Sequence, residues 1–168
     1  MNQVSKEHLS SASMELKNMD YPEKKRLADE MRRNQPDLFD SIFELKEKTN
    51  IFVAKIEFIL NIVLICYLAL KKSGGSLPHI TKKEIDDQTV HFLEIVGVEN
   101  WFNNQSIEKT LNQTLGDNPE GVFSSFAHSE LIFWIYNDVT LEKNDKYVIL
   151  VAVSLVNAIE HVLSASSP

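Results

Sequence analysis

The sequence predicts an all-α fold, a single-domain helical bundle of about six helices around one long central helix at about residues 37–72. Three observations lead there. Leu38, Ile42, Leu45, Thr49, Phe52, Ile56, Ile59, Val63, Cys66 and Leu70 are spaced alternately by 4 and 3, and nine of the ten are apolar. That is the seven-residue period of a helix seam, whereas a strand would alternate every second residue. Helix start and stop signals recur along the chain. The one run of strong β-propensity, KYVILVAVSLV from Lys146, finds no second convincing strand to pair with.

Residues 1–20 read as a flexible polar arm, with thin periodicity in Val4, Leu9, Met14 and Leu16. Asp20-Tyr-Pro22-Glu23 is a helix start, a cap-type Asp followed by Pro and Glu in the first turn. The helix from Pro22 to about Asn34 offers Leu27, Ala28 and Met31 to a core. Its Lys24, Lys25, Arg26, Arg32 and Arg33 are interleaved with Glu23, Asp29 and Glu30, the pattern of a solvated face with internal ion pairs. Docking of an acidic partner is the other reading of that cluster.

Pro36-Asp37 opens the central helix. No Pro or Gly lies between Asp37 and Lys72, so an unbroken rod would be roughly 54 Å long. Thr49-Asn50 is its weak point, because both residues favour caps, and a kink or two separate helices is the alternative. From Ile51 to Leu70, 17 of 20 residues are apolar and cover every face, as in the centre of a globule or a membrane span. Lys55, Glu57 and Asn61 oppose insertion about as strongly as the apolar residues favour it. Several other segments also need a large apolar partner, so a buried central helix is the preferred reading.

Ser73-Gly-Gly75 closes that helix. Thr81-Lys-Lys-Glu84 is a capping box opening a helix to about Val96, with Ile85, Thr89, Phe92, Leu93 and Val96 inward and Gly97 as the stop. A short helix is expected over 107–115. Another runs from Pro119 to about Asn137, where the aromatics concentrate. A last helix covers 146–163, and 164–168 form a loose tail. Residues 21–163 thus make one all-helical domain.

Hydrophobic residues make up 43% of the chain and charged ones 24%, ordinary for a globule with a real core. One cysteine excludes an intramolecular disulfide framework and, with a polar N-terminus, suits the cytoplasm. Net charge is −7, and residues 100–168 hold most of it, with 3 basic and 8 acidic groups. Acidity of that kind disfavours nucleic acid and anionic membrane, and favours a basic protein partner.

Candidate chemistry is sparse. Glu57 and Asn61 sit four apart in the apolar helix, where a carboxylate would be desolvated. His91 and Glu94 have one helical metal-ligand spacing, and His128 and His161 complete the candidate ligand-binding set, yet paired Glu-x-x-His motifs are missing. Cys66 reads as inert packing. No nucleophile elbow, phosphate loop or dinucleotide fingerprint is present, and neither a cofactor nor a metal site is implied. A helix-turn-helix around Gly97 would carry Glu99 and Asn100 and no Arg or Lys before Lys109, poor equipment for a major groove. Trp101 and Phe102, in a polar setting, are candidate partner anchors or a cover over one end of the core.

The sequence therefore points to a non-enzymatic interaction or regulatory protein, homodimeric through its central or C-terminal helices. An enzyme or carrier with a metal or small molecule between helices is the first alternative, and a membrane-associated protein spanning at 51–70 the second.

Overall fold

A computed structural model describes residues 3–102, 109, 121–137, 142 and 144–166. Among them every regular element is a helix: α1 (Lys6–Asn18), α2 (Tyr21–Asn34), α3 (Pro36–Lys48), α4 (Val53–Lys72), α5 (Lys82–Val96), α6 (Val98–Phe102), α7 (Val122–Asn137) and α8 (Asp145–Ala165). Seven of these have 13 to 21 residues, and α6 has five. The bundle expected from the periodicity is what forms. The short helix expected over 107–115 lies, apart from Lys109, outside the described residues.

Helices α4 and α8 make the centre. Every residue from Ile62 to Leu70 is buried, and α8 buries Val148, Ile149, Ala152, Leu155, Val156, Ala158 and Ile159 among others. The segment from Lys146, with its strand-like composition, is helical because its apolar residues meet partners on almost all sides. Lys55 meets Asp145 near the starts of both helices, and Cys66 feels the charge of Glu160 further along, so α4 and α8 run the same way. Helix α7 runs against them: its first amides reach Glu160, and Trp134 stacks on Phe58 near the start of α4 with ring centroids 5.1 Å apart. Helices α1, α2 and α3 pack on α4, and α5 packs on α8 and α3.

The central rod is two helices. Thr49 is extended (φ −135°, ψ 141°), and its hydroxyl donates back to the Leu45 carbonyl, closing α3. Ile51 then turns into the core while Phe52, its neighbour on the repeat, is 64% exposed. Eight of the ten repeat positions are still buried, so the period survives the break; Thr49 is half-buried and Phe52 is the one that faces out. The closing of α3 by Thr49 outweighs the continuous apolar seam because a break costs little where neighbouring helices hold both halves.

The N-terminal stretch also departs from expectation. Residues 6–18, read as an arm, form a helix with Ser5 and His8 in a capping box, and Leu9, Ala12 and Leu16 are buried against α4. Three apolar residues at spacings of 3 and 4 suffice because α4 is apolar on all faces and supplies the partner surface.

Other local signals act as read. Asp20 and Glu23 exchange backbone hydrogen bonds at 2.9 and 2.8 Å to start α2. Thr81 and Glu84 do the same for α5. After α4, Gly74 takes φ 76°, and the amides of Gly75 and Gly74 donate to the carbonyls of Leu70 and Lys71. This reciprocal pair closes the helix and needs a residue tolerant of the left-handed region.

Candidate interaction surface

The polar side chains that organise the bundle lie far apart in sequence. Asp145, at 0% exposure, accepts from Lys55 Nζ, which also donates to Glu142 at 2.9 Å. Burial works to lower the lysine's pKa, but the hydrogen bonds to Asp145 and Glu142 outweigh it and hold the ammonium above its usual value. Asp145 also accepts from the Glu142 backbone amide at 2.7 Å, so its carboxylate both ends a loop and pins α4 to α8.

Glu30 on α2 accepts from Tyr67 and Lys71 of α4 at 2.9 and 2.7 Å, and Asn34 donates to the Tyr67 hydroxyl at 2.9 Å. The Lys71 hydrogen bond is the chief cause that holds the Glu30 carboxyl below its ordinary range. Lys72 pairs with Glu15, fastening α1 to the same end of α4. Buried Gln35 uses its whole amide: Nε2 donates to the carbonyls of Leu77 and Pro78, and Oε1 accepts from Ile80 N–H at 2.9 Å. It ties the loop before α5 to the α2–α3 corner.

Glu160 on α8 sits at the start of α7. Its carboxylate accepts from the amides of Phe123 and Ser124 at 3.2 and 3.3 Å, and from the Ser124 hydroxyl. The first-turn amides and positive dipole end of α7 are thus neutralised from within the chain. A Cβ at Gly121 would stand 1.9 Å from Glu160 Oε2, so only glycine lets that carboxylate approach.

The residues picked out as ligand candidates are dispersed. Glu57 is exposed on α4, because Ile56 and Ile59 take the inner side of that stretch. Asn61 is half-buried. His91 and Glu94 are exposed, since Ile85, Phe92 and Val96 take the inner side of α5. His128 is half-buried on α7, and burial lowers its pKa. His161 is exposed on α8, where its charge acts on Glu84 of α5. Among the described residues no group of three or more His, Cys, Asp or Glu side chains could hold a metal ion. Cys66 is buried, and loss of solvent pushes its thiol far above the usual range.

Trp101 is not an exposed anchor. It is 2% exposed and meets Phe92 edge-on at 5.2 Å, covering one end of the core beneath α5. The side chain of Phe102 lies outside the described residues. Most of the apolar stretch of α4 and of α8 packs within the chain. Those two helices are long and apolar enough to cross a membrane, but 67% and 61% of their most apolar stretches is buried here.

Helix α7 carries large exposed aromatics. It mixes apolar residues with Ser124, Ser125, His128, Ser129 and Glu130, and only Phe123, Ala127 and Leu131 are buried, against α8 and α4. Phe133 is 68% exposed and Tyr136 65%. The sequence shows that aromatics concentrate on this helix, but which of them find a neighbour depends on the helices beside it.

Comparison with protein-family models, with characterised proteins and with solved structures finds no match to this chain.

Proposed function

We propose that this protein is a non-enzymatic interaction module that works through the outer face of α7. The observation that supports the reading is the exposure of Phe133 and Tyr136 on a helix of which only three residues are buried. Large aromatics held on a rigid helix are the side chains that dominate protein interfaces. The rest of the bundle acts as scaffold: Glu160 and the α4 contacts fix the orientation of α7. The acidic last third of the chain would favour basic character in whatever approaches.

A photoreactive phenylalanine analogue at Phe133, irradiated in cells that produce the protein, tests the reading. Covalent attachment to a protein is expected. An analogue that reacts only with water at Phe133 and at Tyr136 would overturn it.

A further inference from the structure

We propose that the joint between α4 and α7 receives an arginine-bearing segment of a partner protein. The inference rests on the interaction reading above and names the partner's chemistry. Phe58 of α4 and Trp134 of α7 stack across the joint, with ring centroids 5.1 Å apart and planes 25° from parallel. Both residues are half-buried, so neither is sealed from the surface. Each helix brings one carboxylate to this place. Glu57 is the only Asp or Glu of α4 and immediately precedes Phe58. Glu130 is the only one of α7 and stands one turn before Trp134, on the same side of its helix. Val53, one turn before Glu57, and Phe133, next to Trp134, are 59% and 68% exposed and give the joint an apolar rim.

Charge selects the occupant. Several acids on other helices have a partner within their own helix: Asp29 meets Lys25, Asp86 meets Lys82 and Asp87 meets Lys83. Glu57 and Glu130 have no ion pair among the described residues. Helix α7 carries no Lys or Arg. Lys55, the only cation in the first half of α4, is taken up by Asp145 and Glu142. The joint thus sets two uncompensated carboxylates beside aromatic faces, in a chain of net charge −7, and such a place attracts cations. A guanidinium suits both parts: its plane lies on an aromatic face and its fork meets a carboxylate, which an ammonium does less well. Val53 and Phe133 add apolar contact for the side chains around that arginine, which a free cation would not use.

Fluorescence polarisation of the full chain with two short labelled amphipathic peptides tests this. One carries leucine and arginine on successive turns. Its twin has citrulline, neutral and nearly the same shape, in place of each arginine. The arginine peptide should bind about tenfold more tightly than the twin, as for a hydrogen bond to a charged group. Glu57→Gln with Glu130→Gln should remove that advantage and leave the helical circular dichroism unchanged. Asp86→Asn with Asp87→Asn, which takes the same charge from α5, should leave binding as it was.

Equal binding of the two peptides, no binding of either, or a loss no greater for the joint variant than for the α5 variant overturns the proposal. If the analogue at Phe133 attaches to a protein while any of these holds, the arginine segment is excluded and the interaction reading stands. If it attaches to nothing, both fall.

Discussion

Asp145 is the residue on which the centre of the bundle turns. It is fully buried and its partner Lys55 nearly so, with 11% of that side chain exposed. Removing one member of a buried pair leaves the other charge without compensation. Asp145→Ala should therefore cost about 3 kcal/mol or more in urea unfolding, whereas replacing Asp145 and Lys55 together by apolar residues should recover most of it. A double-mutant cycle reads the difference. Gly121 gives a second test at this scale. Gly121→Ala forces Glu160 off the α7 amides, and a loss of about 1–2 kcal/mol is expected, as for a lost helix cap. Glu160→Ala should cost a similar amount, and the two together clearly less than their sum, because both break one contact. Neither pair could be read from the sequence: the partners are 90 and 39 residues apart, and no local pattern links them.

At the scale of elements, starts and stops were the legible part. Asp20-Tyr-Pro22-Glu23, Pro36, Thr81-to-Glu84 and Ser73-Gly-Gly75 each act where their chemistry says, because a cap is satisfied within a few residues. Thr81→Ala should accordingly destabilise the protein by about 1 kcal/mol, with amide exchange quickening first in residues 82–86. Breaks without a strong punctuator were less legible. The 37–72 seam keeps its period across Thr49–Phe52 while the backbone leaves the helix there, since extended Thr49 and inward Ile51 are held by the helices around them. Residues 6–18 carry little hydrophobic signal, and they fold because α4 offers them a surface. Which side of α7 faces in was settled by Phe58 and Glu160, both on other helices.

For the whole molecule, charge sets the pH range of stability. Glu30 and Glu84 are held below the ordinary carboxyl value of 4.5, chiefly by the Lys71 hydrogen bond in the first case and by the Thr81 backbone in the second. A carboxyl with a depressed folded pKa adds stability that is present above the unfolded value and lost as pH falls through the folded one. Urea midpoints should thus hold from neutral pH to about 5 and fall below 4.5. Lys71→Met should make that acid-side fall shallower. Lys55 and Lys71 have raised pKa values, so their contribution is complete below the unfolded value of 10.5 and is lost as pH rises beyond it. The uneven acidity of the sequence gives the sign of the surface and no site.

The sequence by itself determined that the protein is helical, where most helices begin and end, and that 51–70 is a buried central helix. Periodicity, capping chemistry and burial of a helix apolar on all faces are local properties, and they survive almost any arrangement of neighbours. Only the tertiary structure decided that Glu57, His91, Glu94 and His161 face solvent on three separate helices, that Trp101 is core, and that Phe133 and Tyr136 of α7 are exposed. Those outcomes depend on which helices stand side by side, and helical spacing alone fixes the angle of a side chain about its own axis, never the identity of the helix across from it.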